Sequence, residues 1–569
     1  MRKKLQRFAN SIPNWALYLA PLLVFAIYGL KNLGLPGLYM DSVNPDYVAA
    51  WILRHADMPA WIYQDNYLSE AYKYPLLNSL YGGNSITYLA ILFFKLFGFG
   101  AVEVRMFHCM LAVALLLSMN RFLLQWKTPK IFALIFTCLL ASDPTYVFVW
   151  RTQYYLQLYP LIFLFLGLGT LGSFVNAENN QWIRPRPLLL SGMLIGFSAY
   201  SYFIFAIYAA VLLVCFYSWS PNKQNRFKSC MYLASGVCLG FSPYIYAHLS
   251  IILNTNLHSY IESIKSLQTA YGVVDNNQGG LFDRMHIVFN RLSSLLAGTG
   301  VESVIFGDSP THLSRTMFAG SLIVAIPVIY LGCRRLFGAS RLVKLDGHSD
   351  LNKIYIFSFL LSCFALHAAF GVVMGRPLGT QHYIMLMPLA YAAIAILYSV
   401  VSPCQLPGLT KNALKSVLMV VSILAITLNL SISQKISGRL YSEGGRKLYS
   451  DAINIAGAYV NGLPTETAIL CPQWGYWMGF AIIAGPRFPM YESPSIEAME
   501  NRILHDPALL KHKKFILVLG QDYFRGDDLA KTASLETFAS HTGLLLNEVT
   551  TISGRNGADK VLIAHLTRN

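Results

Sequence analysis

The chain has 569 residues, 55% of them hydrophobic and only 13% charged, with a mean hydropathy of +0.45. Soluble domains run at about 45–50% apolar and about 25% charged residues, so the composition excludes an ordinary cytosolic enzyme, a disordered chain, a disulfide scaffold and a coiled coil. The surplus apolar residues fall in repeated blocks of helix-spanning length, which predicts a polytopic membrane protein. The net charge of +16 reports membrane orientation rather than nucleic acid binding, because the basic residues flank the apolar blocks. The clusters are Arg2, Lys3, Lys4 and Arg7; Lys127 and Lys130; Arg184 and Arg186; Lys223, Arg226 and Lys228; Arg334, Arg335, Arg341, Lys344 and Lys353; and Lys411 and Lys415.

In chain order, blocks 13–34, 101–125, 131–148, 155–175, 229–250, 316–333, 354–374, 382–402 and 416–433 each approach the roughly 20 residues that a bilayer-crossing helix needs. Block 188–219 is too long for one helix. Its middle, Ser198 to Tyr202, predicts a tight turn between two short spans, giving about eleven spans in all. The first block reads as a retained span rather than a signal peptide, since Lys31, Asn32 and Leu33 follow it in place of a small-residue cleavage site. With the N-terminus in the cytoplasm, every basic cluster falls on the cytoplasmic side. The opposite side then receives 35–100, 142–154, the turn near 201, 251–315, 375–381 and everything after 434. This requires the apolar segment 84–98 not to cross, so it reads as a re-entrant or interfacial helix.

Beyond the last apolar block the chain turns polar. Helical patterns near 446–461, 474–484, 496–510 and 527–540 alternate with strand-like runs at 467–471, 515–519, 544–549 and 560–565. The expected fold class is mainly α: a polytopic transmembrane helical bundle with interfacial helices, residues 1–433, followed by a small C-terminal extracytoplasmic α/β domain, residues 434–569. Cys471 is the lone cysteine of that domain, and no Cys/His spacing suits zinc. Walker A, dinucleotide-loop and nucleophile-elbow motifs are absent from the sequence. Gly192 and Gly196, Gly236 and Gly240, and Gly371 and Gly375 have the small-xxx-small spacing of closely packed membrane helices.

Chemistry is expected in the outer loops, which are longer than anchoring requires. Asp41 and Asp46 follow the first span. They read as solvated loop acids, with Asp46 able to cap the next helix, or as a base at the membrane surface. Asp143-Pro144 reads as a turn that ends a helix. Arg151, among aromatics, reads as a paired charge at membrane depth or as a snorkelling interfacial arginine. Arg376 and His382 share a very short outer connection with no acid nearby in sequence. That arrangement favours an anionic partner such as phosphate over an ion pair with a loop acid. Lys73 reads as an interfacial lysine or as a contact for an anionic headgroup.

The layout as a whole resembles a known family. One span leads to a long outer loop with an early Asp, and a short helix ends at Lys95-Leu96-Phe97-Gly98. Val104-Arg105 then enters the next span, an Asp-Pro outer turn follows, and Arg376, His382, Tyr383 and Pro388 mark entry to a late span. This resembles the GT-C superfamily of polytopic glycosyltransferases, above all the branch with protein O-mannosyltransferases and lipid A aminoarabinose transferases, over most of the chain. The resemblance implies transfer of a sugar from a polyprenyl-phosphate donor to a lipid, glycan or protein acceptor. It places this on the non-cytoplasmic face of a membrane, the bacterial inner membrane in the branch named. It implies an early loop Asp as base, which is Asp41 by position. Asp46 stays in reserve, because this chain has Asp41-Ser42 where relatives commonly carry Asp-Glu. Arg376, His382, Arg151 and Lys73 would contact the donor phosphate. No cofactor is required and no metal ligands are assigned, with a divalent cation held by loop acids left open. The rival readings are a transporter or flippase of lipid-linked sugars, which the lack of internal repeats disfavours, and a lipid-linked glycan ligase or polymerase.

Overall fold

The computed structural model describes residues 12–39, 42–43, 46–54, 76–80, 82–152, 154–176, 185–219, 225–270, 280–296, 299–308, 348–373, 379–401, 408–473, 476–484, 487–493, 495–520 and 528–568. The expected span at 316–333 lies outside them. The bundle is built from α1 (Asn14–Gly29), α2 (Asp46–Arg54), α3 (Thr87–Phe97), α4 (Ala101–Gln125), α5 (Lys130–Ser142), α6 (Pro144–Val149), α7 (Tyr155–Leu158) and α8 (Pro160–Val175). It continues with α9 (Pro185–Ser201), α10 (Phe205–Trp219), α11 (Arg226–Asn254), α12 (Leu257–Ala270), α13 (Leu281–Leu296), α14 (Thr299–Phe306), α15 (His348–Val373), α16 (Leu386–Val401) and α17 (Gly408–Glu443). Among the described residues, six helical stretches are long and apolar enough to cross a membrane, and α1, α3, α5 and α10 are shorter apolar helices. The protein is an integral membrane protein. The long block 188–219 breaks into α9 and α10 at residues 202–204, within three residues of the turn expected there.

Hydrogen bonds sort the connections into two ends. At one end Lys130 reaches the Ile12 carbonyl, Asn176 the Gln125 carbonyl and Asn352 the Asn176 side chain, while Trp219 stacks on Tyr355. At the other end Thr145 donates to the Leu295 carbonyl, Tyr200 to that of Leu76 and Tyr244 to that of Leu80. Gly37 and Leu38 bond to Tyr449 and Asn454 of the C-terminal domain at this same end. Loops grouped by charge parity therefore share an end. The α3 segment has 11 residues, about 16 Å of helix at 1.5 Å per residue, roughly half a bilayer core. Ser85 before it bonds Ser201 at the domain end, and Gly98 (φ 85°) after it turns the chain straight into α4. Both of its flanks thus sit on one side.

The boundary between bundle and domain differs from the expected one at 434. Helix α17 has 36 residues and runs on through the polar stretch 431–443, because a polar helix continues without a hydropathy signal. It stops at Gly444 and Gly445, whose φ angles of 72° and 93° favour glycine. The domain then adds α18 (Ala452–Asn461), α19 (Tyr476–Ile483), α20 (Ile496–His505), α21 (Pro507–Leu510) and α22 (Asp528–Thr542). These flank a five-stranded sheet in the order β4-β3-β5-β7-β6. Its strands are β3 (Thr467–Cys471), β4 (Met490–Glu492), β5 (Lys514–Gly520), β6 (Leu544–Ser553) and β7 (Lys560–Arg568); β1 (Leu77–Ser79) and β2 (Gly82–Gly83) form a separate small hairpin. β4, β3 and β5 are parallel, and β7 and β6 are antiparallel additions. Strand alternation splits the sheet's two faces. Ala468, Leu470, Phe515 and Leu517 pack under α20 and α22, whereas Ile469, Cys471, Ile516 and Val518 join the apolar core that continues into the bundle. The domain is therefore packed onto the membrane part rather than tethered to it.

The glycine spacings of α9 and α11 are used as close contacts. A Cβ at Gly192 would lie 2.2 Å from the Leu233 carbonyl oxygen, and one at Gly236 would lie 2.3 Å from that of Leu189. Gly196 and Gly240 repeat the contact one turn on, against Val237 and Met193. Gly371 instead makes room for the Tyr383 hydroxyl. Backbone atoms cannot yield as a flexible side chain can, so Gly240→Ala is expected to cost about 1–3 kcal/mol and lower the Tm of the purified protein. The Gly196→Ala/Gly240→Ala pair should cost less than the sum of its parts, since one separation of the axes relieves both clashes. Unchanged melting in both single variants would refute the packing.

Candidate active site

The first residue of α2, Asp46, is completely buried. Its Oδ2 accepts from His108 Nε2 at 2.6 Å and from the Tyr155 hydroxyl at 2.7 Å. His108 lies two turns into α4, and its other nitrogen, Nδ1, lies 3.1 Å from the Trp150 carbonyl oxygen. A carbonyl can only accept, so Nδ1 carries a hydrogen. One further proton then lies between Nε2 and Oδ2, because two lone pairs would repel at that distance. The pair is an imidazolium with a carboxylate, or a neutral imidazole with a carboxylic acid. It is net neutral either way. Tyr155 also stacks on the His108 ring, with centroids 3.9 Å apart. Asp46 Oδ1 has no hydrogen-bond partner among the described residues.

Asp46 is thus not a solvated loop acid. It pins the start of α2 to two residues of the bundle, His108 and Tyr155. Ser42 and Val43 in the preceding loop are buried, and Ser42 bonds back to the Tyr39 carbonyl. Asp41, Lys73 and Arg376 lie outside the described residues.

Arg151 is a paired charge, not a snorkelling one. It is buried, and its guanidinium donates to the carbonyls of Tyr28, Gly29, Lys31, Asn32 and Leu35. A helix ends with its last carbonyls unsatisfied, and a cation there also opposes the helix dipole. Arg151 therefore caps the C-terminus of α1 through its two Nη groups and does not snorkel, while its Nε has no hydrogen-bond partner among the described residues. Burial pulls it down to about 10, so it stays charged at neutral pH. Beside it Arg105, also buried, donates to the Pro36 carbonyl at 3.3 Å. Asp143 caps α6 through the Thr145 backbone N–H and accepts from Tyr391, as the Asp-Pro turn implied.

His382 lies in the short helical turn Thr380–Tyr383 that leads into α16. Its Nδ1 is 3.2 Å from the Tyr202 hydroxyl, and its carbonyl accepts from His367 Nε2 at 2.6 Å. That fixes the His367 tautomer, whose Nδ1 accepts from Tyr208. Thr380 bonds Tyr154, the neighbour of Tyr155. Neighbouring tyrosines thus reach in two directions, Tyr155 to Asp46 and Tyr154 to the turn bearing His382. α13 packs on this turn, and its exposed Arg291 acts electrostatically on both Tyr154 and Tyr383. Arg291 forms no ion pair among the described residues.

Sequence reasoning missed His108, Tyr155 and Arg291. A histidine inside an apolar span was the available signal for the first, since ionisable groups there are costly and need partners. Among the described residues, no group of three or more His, Cys, Asp or Glu side chains could hold a metal ion.

No family model matches the chain, and no curated protein matches it. Solved structures do. ArnT from Cupriavidus metallidurans bound to undecaprenyl phosphate matches with a TM-score of 0.54 and 12% identity, over 97% of this chain and 98% of that one. The apo state of the same protein gives 0.45 and 11%, over 96% and 97%. The mycobacterial arabinofuranosyltransferase AftD gives 0.47 and 12%, over 98% of this chain and 40% of that one. The likeness to the ArnT structure bound to undecaprenyl phosphate is one of fold, and it extends over nearly the whole chain.

Arg151→Lys removes the fork that reaches five carbonyls, and each buried carbonyl left unpaired costs about 1–3 kcal/mol. The variant should melt several degrees lower while binding of a prenyl phosphate to the folded fraction is unchanged. Weakened binding with an unchanged melt would restore Arg151 to the phosphate site.

Proposed function

We propose that the protein is an integral membrane glycosyltransferase. It moves a sugar from a polyprenyl-phosphate donor to an acceptor at the membrane face that carries the α/β domain. The observation that carries this reading is the buried Asp46–His108–Tyr155 centre, set at that end of the bundle and linked to the turn of His382. The ArnT fold supports it, since that neighbour is a structure bound to undecaprenyl phosphate. The charge pattern supports the reading that this face lies outside the cytoplasm. No nucleoside triphosphate is supplied there, so an activated sugar must arrive on a lipid.

Chemically, the acceptor oxygen or nitrogen attacks the anomeric carbon as the bond from that carbon to the phosphate oxygen breaks. The acceptor proton passes to a carboxylate, and the polyprenyl phosphate leaves with the bonding electrons. One displacement inverts the anomeric centre. Asp41 is the base in this reading. Asp46 is enclosed, with one oxygen already taking two hydrogen bonds, and so suits a role in positioning the loop of Asp41. Arg376, Lys73 and, from the structure, Arg291 are the cations near which the leaving phosphate gains charge, with His382 beside them as a hydrogen-bonding group, and preorganised donors there lower the barrier.

Asp41→Asn should reduce transfer by about 10²–10⁴-fold, the usual worth of general-base help, with an unchanged melt and unchanged donor binding. Near-normal turnover would remove Asp41 from this role. Arg376→Ala and Arg291→Gln should each raise the donor KM about tenfold or more, as expected for a lost charge-assisted hydrogen bond. Asp46→Asn and His108→Gln should instead lower the melting temperature, and their double variant should cost less than the sum. Strict additivity in that cycle would refute the coupling.

A further inference from the structure

Helix α13 presents surfaces that no single solvent can serve. Its 16 residues make about 24 Å of helix at 1.5 Å per residue. At 3.6 residues per turn, Leu281, Phe282, Met285 and Phe289 share one arc of about 100°. All four are exposed, Phe282 to 83% and Phe289 to 64%. Val288 and Leu295 on the adjoining arc are buried, and the helix packs on α15 and on the turn of His382. On the other side of the phenylalanines the exposed Asp283, His286 and Asn290 form a polar arc. Arg291 stands past the buried arc, on the flank away from the phenylalanines. The bond from Thr145 to the Leu295 carbonyl sets all of this at the end of the bundle that carries the α/β domain.

The neighbouring helices show what meets the exposed arc. α11 exposes Tyr246, Leu249 and Leu253 up to its end at this face, and after Thr255 and Asn256 α12 continues the row with Leu257 and Ile261. α15, on which α13 packs, exposes Leu366 and, as its last residue, Val373. α11 and α15 are both long and apolar enough to cross a membrane, so hydrocarbon covers these side chains. The phenylalanine arc is continuous with a surface that already faces lipid, whereas in water it would form an exposed apolar patch.

We propose that α13 lies in the boundary between headgroups and hydrocarbon of the leaflet on the domain side, and that this seat aims Arg291 at the donor phosphate. Each arc then has its own neighbour: lipid for the phenylalanines, the bundle for Val288 and Leu295, water for the polar residues. A helix turns as a unit, so the face that sinks into lipid decides which way Arg291 points. The lipid seat stands on exposure and continuity alone; the donor part rests on the glycosyltransferase reading.

Both parts are tested on the full-length protein in isolated membranes. The photoreactive p-benzoylphenylalanine is placed in turn at positions 282, 289, 286 and 290, and its adducts are identified by mass spectrometry after irradiation. Phospholipid adducts at 282 and 289, and none at 286 and 290, are expected. Adducts at 282 and 289 to another protein, a second copy or another part of this chain overturn the seat, as does equal or absent lipid labelling at all four positions. Phe282→Asn/Phe289→Asn should raise the donor KM about tenfold, the effect expected of Arg291→Gln, with kcat and the melt unchanged. Phe282→Leu/Phe289→Leu should keep the donor KM, and adding Arg291→Gln to the asparagine pair should raise it no further. A KM unmoved by the asparagine pair, or full additivity with Arg291→Gln, overturns the link to Arg291. An unchanged KM in Arg291→Gln alone would defeat the donor role of that residue while the lipid adducts leave the seat standing.

Discussion

A carboxyl group placed inside an apolar bundle must find partners there, and the site is arranged around the partners that Asp46 finds. The group is wholly enclosed, so leaving it unpaired would cost several kcal/mol. His108 and Tyr155 supply the donors, and Trp150 orients His108 through its carbonyl. Those residues belong to four different stretches of chain. One buried acid thereby fixes where α2 begins, how α4 is rotated and where the chain between α6 and α7 lies.

The long apolar helices were legible because a bilayer demands a run of apolar residues, and such a run is a one-dimensional signal. The same holds for β3, β5, β6 and β7, whose apolar or alternating strings stand out between polar helices. The three-residue strand β4 left no such trace; its residues are only partly buried at the sheet's edge until Glu492. Helix α17 was cut short in sequence reasoning for a related reason. Its last turns are held by ion pairs, Arg439 with Glu443 and Asp308 and Arg446 with Glu443, which do not register as hydropathy.

The site was half legible. Acids and bases in outer loops could be found, but not what each one touches. Arg151 is the clearest case: its partners are main-chain carbonyls, which every residue has, so nothing in residues 28–35 announced them. His108 stood in plain view, yet its meaning depended on an aspartate 62 positions away. Arg291 lies on an amphipathic helix that reads as surface until the turn at 380–383 is packed beside it.

The pairing of Asp46 with His108 has an electrical side. Whichever partner holds the shared proton, the unit carries no net charge. An energised bilayer acts on an isolated ion with about 2.3 kcal/mol per 100 mV, enough to bias any ionised group that shifts along the field. A dyad of zero valence feels only a dipole's share of that force. The anchor of the loop can then hold the same geometry in a resting cell and in one whose voltage has collapsed.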